Sequence, residues 1–179
     1  MMRLPVVLLV FVVLTASVCL AQQTPKKAAP AAAKPMATVV LSSDLKWGLL
    51  PASLVTGTPA VDPGGELQAA VIMGDPSKAG RYVIRGKCSD GHKVAPHWHP
   101  FTENVTVLQG TLAVGMGTKW DAAQLKGLTS GSFGSIPGHM AHFAQCQGET
   151  IFQVEGHGPF QLNFISPAGS KAKKPAAGN

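Results

Sequence analysis

From residue 67 to residue 165 the chain alternates apolar and polar positions in short runs, most of them closed by glycine, proline or aspartate. A period of two turns one face of each run into a core and the other into water, as in half-buried β-strands. It predicts strands over 67–73, 81–85, 93–98, 105–108, 111–114, 132–136, 142–145, 150–155 and 160–165, with a short one at 38–41. Gly74-Asp75-Pro76 reads as a turn, and Gln109-Gly110 as the tight turn of a hairpin between 105–108 and 111–114. Asp121 to Lys126 reads as one helical turn, capped by Asp121 and stopped by Gly127. No helical period is sustained after residue 21. Short strands with regular turns ask for an all-β sandwich or barrel, because closure removes exposed sheet edges.

The two ends follow other patterns. Met1-Met2-Arg3 precedes an apolar run from Leu4 to Leu14 and a stretch of mostly small residues ending at Ala21. That order is a secretory signal peptide, residues 1–21, with an apolar run too short to span a bilayer. It predicts a secreted or periplasmic protein with no stable membrane insertion after cleavage. A lipid anchor on Cys19 would need a smaller residue than Val18 before it. Residues 22–37 and 170–179, rich in alanine, proline and lysine, read as disordered tails around one domain, 38–169. At its start, Asp44 to Pro51 reads as an arm that packs Trp47 and Leu49 over one end of the barrel or onto a neighbouring subunit.

Charge follows the same division. The formal net charge of +6 arises at the ends: six lysines lie in the tails and Arg3 in the signal, leaving eight basic side chains against nine acids. The folded part is nearly neutral. A nucleic-acid partner would need a basic face with aromatic platforms, and the domain offers neither.

The chemistry concentrates between Gly91 and Gly110. On a strand, His97 and His99 are two apart and project from one face. Pro100 then breaks the ladder and leaves a turn that brings Glu103 back towards them. Two neutral nitrogens and a carboxylate oxygen make a donor set for a divalent metal. An isolated His-x-His is more often a surface strand, but here the flanking glycines add a pattern. Gly, five residues, His-x-His, three residues, Glu, six residues, Gly resembles the first signature motif of the cupin superfamily at every fixed position. A second stretch, Gly131 to Cys146, keeps that family's second-motif Gly131, Pro137 and His142. It departs twice: His139 stands in place of glycine, and Cys146 in place of asparagine.

The resemblance covers about residues 65–165. It implies a single cupin barrel (a jelly roll, or double-stranded β-helix) preceded by the N-terminal arm. It also implies one divalent transition metal, Mn, Fe, Zn, Ni or Cu, held by His97, His99, Glu103 and His142. His142 is expected on a strand facing the His97 strand across the barrel, and Glu103 as the residue that carries a proton if there is catalysis. A homodimer and a small-molecule substrate are further implications, with a dioxygenase-like oxidoreductase as the leading activity and a non-catalytic metal or small-ligand binder as the alternative. His92 and His157, in glycine-rich turns, are expected to be solvated. His139 reads as a turn residue or as a gate at the pocket mouth. Cys146 is expected inside the barrel, too far along the strand to reach the metal. Cys88 and Cys146 are an even pair in an exported chain, which raises a disulfide without establishing it.

Overall fold

Alternation becomes burial along the third strand, where Tyr82, Ile84, Gly86 and Cys88 turn inwards while the residues between them are less buried. In the computed structural model, which describes residues 37–166, nine strands form one curled sheet. They are β1 (Val55–Thr56), β2 (Leu67–Met73), β3 (Gly80–Cys88), β4 (Lys93–Trp98) and β5 (Glu103–Met116). After them come β6 (Lys126–Thr129), β7 (Phe133–Ile136), β8 (His142–Gly158) and β9 (Leu162–Phe164). The expected signal peptide, linker and basic C-terminal tail lie outside the described residues. No helix among the described residues is long and apolar enough to cross a membrane.

Two long strands organise the sheet. β8 pairs with β4 through its first part and with β3 through its second, while β5 runs antiparallel along it from Glu155 back to His142. The hairpin expected at Gln109-Gly110 is not there. β5 continues through Gly110, whose φ of 70° serves a bulge where the register to β8 shifts. A Cβ at Gly110 would crowd Thr150 and the Glu149 carbonyl, so both the conformation and the close approach call for glycine. Positive φ suits a bulge as well as a tight turn, and the local signal is the same. Likewise 142–145 and 150–155 are one strand, bulged near Gly148 at φ 73°.

Three smaller expectations also change. Residues 38–41 are not a strand. Asp121 does cap a turn, accepting from the Ala123 N–H at 3.0 Å, but this 3-10 turn spans only Ala122–Gln124. Lys126–Thr129 then joins β5 as β6, an edge strand too short and mixed to show a period. The arm lies against its own barrel. Gly48 and Ala69 exchange both backbone hydrogen bonds, the Lys87 ammonium sits 5.0 Å from the centre of the Trp47 ring, and Leu50 packs on the core. Leu49 instead points to solvent.

The core joins Tyr82, Ile84, Val105, Val107, Leu112, Val154, Phe160 and Leu162 with Cys88 and Cys146. The two cysteines are bonded as a disulfide, both fully buried, with Cα atoms 6.4 Å apart. It ties the end of β3 to the first part of β8 across a sequence separation of 58. Constraining a loop of that length in the unfolded chain is worth about 4 kcal/mol on the loop-entropy model. We expect Cys88→Ala with Cys146→Ala to lower unfolding stability in denaturant titration by roughly that amount. A loss below about 1 kcal/mol would show that the loop is already constrained without the bond.

Candidate metal centre

β4 carries His97 into the barrel beside β8, where it pairs directly with His142. The two histidines are therefore on adjacent strands, not on walls facing across the barrel as the sequence suggested. A register shift between Val94 and His97 leaves Ala95, Pro96 and His97 all buried, which breaks the alternation before the site. His99 follows after β4 has ended, and Pro100 turns the chain so that β5 begins at Glu103. The turn 137–141 enters β8 at His142. One nitrogen from each of the rings of His97, His99 and His142 lies within 4.8 Å of those of the other two. Glu103 borders this group, with Oε1 3.5 Å from His99 Nε2 and Oε2 3.2 Å from His142 Nε2. All four residues are buried.

The backbone decides which nitrogen each ring offers. His97 Nδ1 lies 2.7 Å from the Ala95 carbonyl, His99 Nδ1 2.8 Å from that of Gln161, and His142 Nδ1 3.0 Å from that of Met140. A carbonyl only accepts, so each Nδ1 is the N–H donor and each neutral ring keeps its lone pair on Nε2. His99 Nε2 is buried with no hydrogen-bond partner. Three such lone pairs beside a carboxylate repel one another unless a positive charge stands between them. That donor set fits a divalent metal, and the Nδ1 bonds are the supports that orient metal-binding imidazoles. Aromatic neighbours fix the ring planes further: Phe160 lies 5.0 Å from His99 and Phe164 6.1 Å from His97, centre to centre.

Burial sets the protonation. It pushes the His97 imidazole down to about 3, helped by the neighbouring His142 and His99. Burial pushes His99 down as well, against the pull of Glu103. For Glu103, burial acts upwards but is outweighed by the neighbouring imidazoles of His99 and then His142, leaving it low, at about 2. We take the pocket as neutral imidazoles at 97 and 99 beside an ionised carboxylate. Tyr82 is pushed above its ordinary value by burial and then by Glu103, so it stays a phenol.

The remaining histidines separate cleanly. His92 is buried rather than solvated, its Nδ1 2.9 Å from the Gly64 carbonyl, and it is no part of the cluster. His157 is exposed, as expected. His139 has φ 63°, the conformation that favours the glycine it replaces. Its ring is exposed and lies 4.9 Å from Trp98, while its backbone N–H donates to the His99 carbonyl at 2.8 Å. It acts as a turn residue whose backbone braces the site. The backbone carbonyls of Ala95, Met140 and Gln161 had no sequence signal, since any residue supplies one.

Behind the imidazoles lies a cavity of about 90 Å³. Its wall is apolar, with Val105, Leu112 and Val154 from the long strands, Leu67 from β2 and Leu50 from the arm. Apart from the histidines and Glu103, the only polar side chain on it among the described residues is that of Gln68.

No protein-family model and no curated protein sequence matches the chain. Solved structures do match. A candidate acetylacetone dioxygenase from Methylibium petroleiphilum is similar at 20% identity and TM-score 0.56, over 78% of this chain and 88% of that one. The polyketide cyclase RemF from Streptomyces resistomycificus is similar at 20% identity and TM-score 0.50, over 68% and 80%. An RmlC-like cupin from Shewanella frigidimarina matches at 16% identity and TM-score 0.49, over 68% and 91%. At these identities the likeness is one of fold: the chain forms a cupin-type β-barrel.

The buried histidines make the metal-free protein acid-sensitive. With its folded value near 3 against an ordinary 6.5, His97 stays neutral in the native state while the unfolded chain takes up a proton. Stability is therefore full above about pH 6.5 and falls as pH drops from there towards 3, by up to about 1.4 kcal/mol per pH unit for such a group. Glu103, low at about 2 against 4.5, adds a second loss as pH falls below 4.5. Unfolding midpoints of metal-free protein should drop steadily from pH 7 to pH 4, and His97→Gln should flatten the upper part of that slope. A midpoint unchanged between pH 7 and 5 in the parent protein would contradict the neutral-imidazole pocket.

Proposed function

We propose that the chain is a metal-dependent enzyme of the dioxygenase type, acting on a small organic molecule outside the cytoplasm. The observation that carries this reading is the trio of buried imidazoles, each with Nδ1 tied to a carbonyl, opening onto an apolar cavity. His97, His99 and His142 would hold the ion through Nε2, with Glu103 as the fourth donor. When bound, it supplies Lewis-acid chemistry and, for iron, manganese, nickel or copper, redox chemistry as well. The names of the two fold neighbours with TM-scores of 0.50 and above, a candidate dioxygenase and a cyclase, are compatible with chemistry on small organic molecules.

The protein's own residues divide the remaining work. Glu103 is the one acidic group facing the cavity among the described residues, and its carboxylate oxygens are positioned to take a proton from a bound hydroxyl or an acidic C–H. Val105, Leu112 and Val154 exclude water and so strengthen every charge interaction at the imidazoles. The Cys88–Cys146 bond supports the extracytoplasmic setting, because such bonds persist in oxidising compartments. The scarcity of polar side chains on the wall favours a second reading, a non-catalytic binder of metal or a small ligand.

Metal titration and turnover on the same variants separate these readings. His97→Ala with His99→Ala should abolish stoichiometric metal binding, and full retention would end the assignment. Glu103→Gln should keep metal in part while substrate-dependent oxygen uptake falls about 10²–10⁴-fold, the span for losing a general base. Oxygen uptake that never responds to any substrate, with metal tightly held, supports the binder.

We further place a second copy of the chain against the arm and β2. Val39, Leu41 and Leu49 are exposed there, as are Val71 and Met73, an apolar set on an edge strand. Light scattering should give twice the chain mass, falling to one copy in Leu49→Lys with Val71→Lys. A parent protein of single-copy mass refutes the dimer.

A further inference from the structure

The composition of the cavity wall restricts what can lie in it, and this step rests on the metal reading above. Bound as ligands, the imidazoles are neutral and Glu103 carries one negative charge, since ligating groups must be deprotonated. With a divalent ion the buried site holds a net charge of one positive unit. A charge left uncompensated in an apolar enclosure is costly. No second anion lines the cavity among the described residues, where Glu103 is the only acid. It also supplies no second cation, because no lysine or arginine lines the cavity among the described residues.

The rest of the wall is equally informative. Ile84, Leu112, Phe152 and Val154 line it, together with Leu50 and Leu67. Phe152 pairs with Gly86 across β3 and β8, and its ring occupies the space that a side chain at Gly86 would need. Gln68 does not break this apolar surface: its amide donates to Glu66 Oε1 at 2.9 Å, in an exposed pair. A ligand with a second polar end would bury it here without a partner. At about 10–15 Å³ for each water-sized group, a space of 90 Å³ takes roughly six to nine of them, one being the ion itself.

We infer that this cavity selects a monoanion with one oxygen-bearing end, directed at the imidazoles, and a hydrocarbon body of about two to five carbons. Short carboxylates and the enolates of small ketones share that chemistry. One negative charge brings the site to neutrality, and the body replaces water along the wall. Dianions over-compensate: the second carboxylate either adds a further negative charge at the ion or is stranded against Leu112 and Val154. Polyols strand hydroxyls in the same place. Longer chains exceed the space.

Valerate and malonate, matched in non-hydrogen atoms but carrying one and two charges, make the test. Full-length mature protein is loaded with zinc, which is redox-inert, and zinc content is measured after every titration. Valerate at about ten times its dissociation constant should raise the unfolding midpoint by roughly 5 °C, while malonate at the same concentration moves it by less than about 1 °C. Leu112→Ala should shift the preference of the zinc protein from valerate towards heptanoate by about tenfold, because the added methylenes gain buried area. Ile84→Val is a gentler enlargement should that variant not fold, with a smaller shift in the same direction. Protection by malonate equal to that by valerate, or affinity indifferent to chain length in the parent and enlarged proteins, overturns this inference and leaves the metal site standing. Failure of zinc to bind at all overturns the metal reading and this inference together.

Discussion

Three N–H bonds from imidazoles to backbone carbonyls are the constraint on which the site depends. Each bond fixes a tautomer and a ring direction, and each carbonyl belongs to a different part of the fold: Ala95 within β4, Met140 in the turn before β8, Gln161 just before β9. The barrel must therefore hold three segments in register for the three lone pairs to converge. The pairing of His97 with both His142 and Phe164 does this directly, because it sets β4 between β8 and β9. Without those carbonyls the rings would be free to offer either nitrogen, and burial alone would not make them ligands.

The turn 137–141 shows how far the chain departs from local preference to meet that constraint. Its φ of 63° at His139 would be less costly for glycine, yet the same backbone places one N–H on the His99 carbonyl and the Met140 carbonyl on His142 Nδ1. A Cβ on Gly138 would meet the Pro100 carbonyl oxygen at 2.6 Å, so this turn and the one before Glu103 are packed backbone to backbone. Two irregular segments thus brace each other at the mouth of the site. The ring of His139 contributes by lying on Trp98, outside the cluster.

Much of this arrangement was legible in residue order, and the reasons are specific. His97 and His99 share a face because a strand has a period of two, and Pro100 marks where that strand must end. Alternation located most strand segments, since a half-buried sheet writes its burial into every second residue. It could not locate their joins. Gly110 needs positive φ in a bulge and in a hairpin alike, so one long β5 looked like two strands. Nor does alternation state which strands are neighbours, so His142 was expected across the barrel and stands beside His97. His92 sits in a glycine-rich turn like a surface residue, but Gly64 folds over it and accepts from its ring. Pairing of Cys88 with Cys146 depends on the approach of β3 to β8, a property of the closed sheet alone.

The same strand couples the two ends of the barrel. β8 begins at His142, reaches the disulfide at Cys146 four residues later, bends near Gly148 and then lines the cavity with Phe152 and Val154. A shift of β8 by one residue would turn His142 away from the site and Val154 away from the cavity together, because both depend on the same alternation within one strand. The covalent bond at Cys146 resists that shift in the first part of the strand, and the register to β5 resists it along both halves. The arm and the edge strand β2 complete the wall with Leu50 and Leu67, while their neighbours Leu49, Val71 and Met73 carry exposed apolar side chains. Stability and site geometry here are one property, set by the register of a single strand.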